Sequence, residues 1–157
     1  MNTYNFRQKH LNLMNLKSSI VKVLTMFVDE FSYYPAQKNP DTSSIVSEGR
    51  SFAKSILAFI QVEQSDEEND LKSREKKLVN HLKWVARKNE TNSIILHSFA
   101  HLSESKASAE FTLELFNQAE IRLRNAEYVT AQTPFGYFLD LNIKAPGLSL
   151  ARIWASL

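Results

Sequence analysis

The hydrophobic pattern changes period three times between residues 55 and 125, and this alternation limits the folds open to the chain. "SILAFIQVEQ", residues 55–64, is a short continuous apolar run of the kind a buried strand needs. From Leu71 the spacing turns helical: Leu71, Leu78, Val79, Leu82 and Val85 fall on one face. "NSIILHSFAHLS", residues 92–103, returns to a strand pattern and runs into a loop. A second helix is expected over 106–125, with Thr112, Leu115, Phe116, Ala119 and Leu123 as its apolar stripe. Each helix must bury its stripe against a sheet, so the alternation predicts an α/β fold with two main helices.

The flanks refine this. "VKVLTMFVDEFSYYP", residues 21–35, is rich in β-branched and aromatic residues and predicts one or two strands ending at Pro35. "AQKNPDTSSIVSEG" reads as a long loop. "YVTAQTPFGYFLDLNIKAPG" predicts two strands joined or bent at Pro134–Gly136. The tail "LSLARIWASL" fits a short helix or a final strand. Strands after the last helix argue against a purely parallel sheet, so a mixed sheet is expected.

At 157 residues the chain is long enough for one domain with a real core. Hydrophobic residues at 43% and charged residues at 23% exclude an intrinsically disordered chain. A net charge of +2 is too small to argue nucleic-acid binding from charge alone. With no cysteine, disulfides, thiol catalysis and Cys-based zinc sites are excluded. No apolar run approaches the ~20 residues of a membrane helix. The first twenty residues lack the apolar stretch of a signal peptide, so a cytoplasmic protein is expected. Residues 1–20 read as an extension, with Met14 an alternative start, and residues 21–157 as a single domain.

No nucleophile elbow, P-loop or G-x-G-x-x-G is present, which argues against ATP-type phosphate chemistry and dinucleotide binding. Asp66, Glu67, Glu68 and Asp70 read as helix capping on a solvated face rather than a metal site, with Ser65 and Glu68 as a capping box. Basic residues in "KSREKK", 72–77, are expected on a solvated helix face, with RNA contact as the alternative. His10 lies in the extension and His81 in the first helix. His97 and His101 stand at a strand end, where α/β folds place their ligand-bearing loops. Their i, i+4 spacing suits zinc only on a helix, so no metal is expected. His101 also fits a partly buried histidine held by a backbone hydrogen bond, and Ser103 and Ser105 fit helix N-caps.

"TPFGYFLDLNIKAPG", residues 133–147, holds two of the three glycines and two of the four prolines. Gly136 lets the backbone take a positive φ or approach a ligand closely, and a sharp strand bend beside the core is the plainer reading.

"FAHLS" (99–103), a helix, "TPFGYF" (133–138) and "IKAPG" (143–147) occur in that order. Together they resemble the archaeal editing domain of threonyl-tRNA synthetase, a fold similar to D-aminoacyl-tRNA deacylase. The family pattern has "AHLS" after a strand, "PFGYYK" near the end and a following "KGHPLAE"-like segment. The likeness extends from about Lys22 to the C-terminus and includes "LAFIQVE", 57–63. It implies hydrolysis of Ser-tRNA(Thr) or a related mischarged ester, without metal or cofactor. Backbone N–H groups near Gly136 would hold the oxyanion, and the RNA's ribose hydroxyl would help activate water. The substrate-binding residues it implies are Ala100, His101, Pro134, Phe135, Gly136, Tyr137, Phe138, Leu139 and Arg152.

The family lysine falls at Leu139, its preceding tyrosine at Phe138, its glutamate at Arg152, and its "GHP" at Gly147, Leu148 and Ser149. The expected partners are the 3′ aminoacyl end of tRNA, a threonyl-tRNA synthetase in trans, and a second copy of the chain. No membrane partner and no aminoacylation activity are expected. The chain is expected as a free-standing copy or a fragment. The alternatives to an editing deacylase are a degenerate module that binds tRNA or a partner, and a structural homodimer domain.

Overall fold

The computed structural model describes residues 21–40, 42 and 45–157, so the expected 1–20 extension lies outside the described residues. The β-branched and aromatic residues after Val21 form one strand, β1 (Lys22–Lys38). It does not stop at Pro35. The pairing register shifts between Pro35 and Gln37, so the proline sits at an irregularity that tolerates its missing N–H.

β2 (Arg50–Gln61) pairs antiparallel with β1 from Lys22↔Gln61 to Tyr33↔Arg50. It begins five residues before the apolar run, because its exposed first part becomes strand only by pairing with β1. A single turn, α1 (Gln64–Glu67), precedes α2 (Leu71–Lys88). β3 (Ser93–Ser98) lies parallel to β2. Then come α3 (Ala109–Asn125), β4 (Val129–Gln132) parallel to β3, and β5 (Tyr137–Lys144) antiparallel to β1. The tail holds both expected elements: a 3-10 turn (Ser149–Ala151), then β6 (Arg152–Ser156) along the first residues of β1. The sheet runs β4-β3-β2-β1-β5, with β6 beside β5 on the outer edge of β1.

The acidic run caps helix ends as expected, but the capping box is not Ser65 with Glu68. The capping box is Glu63 with Asp66, whose carboxylate accepts the Glu63 N–H at 2.9 Å. Asp70 then caps α2 by accepting from the N–H groups of Lys72 and Ser73. The "KSREKK" face is not wholly solvated either. Arg74 is buried and pairs with Asp66 at 3.3 Å, and buried Glu75 accepts from Arg122 of α3.

From Ser55 onward β2 is buried on both sides, which is why its sequence there is a run rather than an alternation. Ile56, Ala58 and Ile60 face Leu78, Leu82 and Val85 of α2 and Leu115, Phe116 and Leu123 of α3. Leu57 and Phe59 face the other way and cluster with Val28, Phe31, Tyr33 and Ile95. Phe31 and Tyr33 come from the far half of β1, so this cluster spans both halves of the strand in a curled sheet. The β4–β5 link requires the same curl. A flat five-strand sheet would separate its edge strands by about 19 Å. The link through 133–136 reaches at most about 18 Å when fully extended, so the edges must approach each other.

Candidate functional site

The curl leaves an open cavity of about 370 Å³ between the end of β3 and the start of β5. Both motif segments reach it. Ala100, His101, Pro134, Phe135, Gly136, Tyr137, Phe138 and Leu139 line it, together with Gln61, His97, Phe99 and Lys106. Arg152 does not. It opens β6 opposite Met26 and is exposed. A second hollow of about 530 Å³ over β1, β2 and β5 is lined by Glu30, Phe52, Ile143 and Lys144 among others; it touches the start of the 143–147 segment but no residue of 99–103 or 133–138.

The loop after β3 is fixed by Gln61. Its Oε1 accepts from the N–H groups of Leu102 at 2.6 Å and Ser103 at 2.7 Å. Its Nε2 donates to the carbonyls of Ser103 and Ser105, both at 2.8 Å. One buried amide thus uses both donors and both acceptor positions on a single loop. The Ser103 hydroxyl donates to Glu63, which also pairs with Lys22 at 3.0 Å. Ser103 and Ser105 are therefore not the caps of the following helix. Ser108 is, and the Ser105 hydroxyl accepts the Gln64 N–H at the start of α1 instead. His101 is exposed, with its ring edge against Phe99 at a centroid separation of 5.0 Å, and is not the partly buried histidine that was the alternative.

The second segment is fixed by Gly136, whose φ is +82°. Its carbonyl accepts from Asn39 N–H at 2.8 Å and from the Thr42 hydroxyl at 3.1 Å. A Cβ there would stand 2.0 Å from Thr42 Oγ1. The glycine is thus required by the turn and by the close approach of the 39–42 loop. Tyr137 anchors the same region, its hydroxyl accepting the Val46 N–H at 2.8 Å. Leu139 packs on the Phe31–Phe59 cluster while lining the cavity. Phe138 stays 61% exposed and does not plug it.

The N–H groups of Ala100, His101, Phe135 and Gly136 make no hydrogen bond among the described residues. Both cavity segments therefore carry unused backbone donors, the kind of group that stabilises a developing oxyanion. Among the described residues no three His, Asp or Glu side chains converge as a metal site would require. No described helix is long and apolar enough to cross a membrane.

Gln61 and His97 are among the lining residues outside the expected site set, although the sequence places His97 at a ligand-bearing strand end. Both are polar positions at the ends of otherwise apolar runs, "LAFIQ" and "SIILH". In adjacent parallel strands such positions meet at one end of the sheet.

This architecture is a D-aminoacyl-tRNA deacylase-like α/β fold. A solved structure named c-Myc DNA Unwinding Element Binding Protein superposes with a TM-score of 0.57, covering 85% of this chain and 97% of that one at 16% identity. The family described as the Archaea-specific editing domain of threonyl-tRNA synthetase matches residues 21–157, and the chain belongs to it. Among its relatives, the threonine–tRNA ligase of Thermococcus onnurineus is 31% identical over 118 residues, 75% of this chain and 19% of the ligase. That of Methanosarcina mazei is 26% identical over 140 residues, 87% of this chain and 22% of the ligase. The chain spans about a fifth of the length of these curated relatives. Membership places it, at the level of the family, in tRNA editing.

Proposed function

We propose that this chain hydrolyses the ester of a mischarged aminoacyl-tRNA in trans, with Ser-tRNA(Thr) as the first substrate to consider. The observation that carries the reading is the open cavity lined by both family segments. Water attacks the ester carbonyl, and the oxyanion is held by backbone N–H groups of the Ala100–His101 and Phe135–Gly136 walls. The ester C–O bond then breaks, releasing serine and the tRNA's terminal ribose hydroxyl. No side-chain nucleophile is needed. The proposed contacts are Ala100, His101 and residues 134–139. Arg152 is left out of the proposed contacts, because it does not line the cavity. A synthetase discriminates one methyl group by only ~1–3 kcal/mol in a binding pocket, so a second site that destroys the wrong ester is worth having.

One observation favours a second reading. Leu139, at the family lysine position, packs against the Phe31–Phe59 cluster and presents an apolar side chain to the cavity, so no cation enters it from β5 at that point. A degenerate module would bind aminoacyl-tRNA there without hydrolysis. A deacylation time course decides between them. The purified chain is incubated with Ser-tRNA(Thr), Thr-tRNA(Thr) and a D-aminoacyl-tRNA, each against a protein-free blank. Faster loss of the seryl ester is expected. No loss above blank from folded protein that binds tRNA would leave only the second reading.

A further inference from the structure

We infer that His97 is a substrate-binding residue of this cavity, giving through Nε2 one hydrogen bond to the amino-acid end of the bound ester. The inference rests on the ester site proposed above and adds a side-chain contact to it. Three observations carry it. The ring is only 7% exposed, yet it lines the cavity between the two motif segments. Its orientation is fixed: Nδ1 is 2.8 Å from Thr133 Oγ1, and the ring meets Phe59 edge-on at a centroid separation of 5.2 Å and 88°. Nε2 makes no hydrogen bond among the described residues, and it is not one of the sealed, partnerless buried atoms. It therefore opens towards the cavity the ring lines.

A fixed ring with one nitrogen committed and the other opening on a cavity is built to meet a ligand. Burial holds the ring neutral at pH 7, with its pKa pushed down to about 4. A neutral imidazole presents one donor or one acceptor at Nε2, according to which nitrogen carries the proton. With Nε2 unprotonated the ring accepts from the ammonium of an aminoacyl ester; with the proton on Nε2 it donates to the ester carbonyl. With Leu139 apolar, His97 supplies polar recognition from the end of β3 rather than from β5.

The test uses the non-hydrolysable amide analogue 3′-seryl-amino-3′-deoxyadenosine and the chain labelled with ¹⁵N-histidine. Saturable movement of the His97 Nε2 resonance on titration is expected. Substitution separates the two nitrogens, since Asn reproduces the Nδ1 position and Gln the Nε2 position. H97N is expected to bind the analogue about tenfold more weakly and H97Q within about threefold of the parent, the scale of one hydrogen bond. Circular dichroism establishes that both variants fold. If the analogue binds and shifts the Gly136 amide while Nε2 stays still and H97N binds like the parent, the assignment is overturned. Absence of any binding overturns it as well. Analogue held through Nε2 without hydrolysis of Ser-tRNA(Thr) sinks the deacylase reading alone. Hydrolysis with a silent His97 sinks the assignment alone.

Discussion

Gly136 and His97 are where single residues set the properties of the cavity. An alanine at Gly136 must adopt a left-handed conformation, at a cost of about 1–2 kcal/mol, and its Cβ meets Thr42 Oγ1. G136A should therefore lower urea stability by at least that amount. Adding T42A should recover part of the loss, and equal stability of the single and double variants would contradict the contact. His97 links stability to pH. Its folded pKa of about 4 lies below the ordinary 6.5, so the unfolded chain binds a proton in that window that the folded chain does not. Stability should fall as pH drops from about 6.5 to about 4, by on the order of 3 kcal/mol from this group. His81, also lowered by burial, adds in the same direction. Urea melts of H97F across this range should show a shallower slope than the parent.

Among the elements, the loop between β3 and α3 owes its position to β2. Gln61 makes four hydrogen bonds to it, so Q61L leaves the Leu102 and Ser103 amides and the Ser103 and Ser105 carbonyls without their partner. A loss of about 2–4 kcal/mol is expected for such unsatisfied groups. Hydrogen exchange should show the Leu102 and Ser103 amides losing protection while the Leu78 and Leu115 amides keep theirs. The connection between α1 and α2 depends on an ion pair. Removing the guanidinium in R74L takes the ion-pair partner away from buried Asp66, and this should cost about 3–5 kcal/mol in a thermal melt. The helices were legible because each buries a stripe at helical spacing. Thr112, Leu115, Phe116, Ala119 and Leu123 are all buried as that spacing requires. Asp70, in the acidic run read as capping, does cap α2, whereas the Glu63 and Ser108 caps were not legible, because they are selected by where the chain breaks rather than by local composition.

For the molecule as a whole, the cavity is a product of curvature. β4 and β5 share no hydrogen bonds and sit at opposite edges of the sheet, and only the curl lets 133–136 join them beside the loop that follows β3. The sequence by itself determined the layers, since apolar spacing fixes which face each helix buries, and it carried the two motif segments in order. Gly136 also announced a special backbone position. The tertiary structure alone decided that β1 is one bent strand through Pro35, that Arg152 does not line the cavity, and that Gln61 does. The physical reason is range. Hydrophobic period is a local property of the chain, whereas strand pairing, sheet curl and the partner of a buried polar group depend on residues 36 to 44 positions away, as for His97 with Thr133 and Gln61 with Ser105.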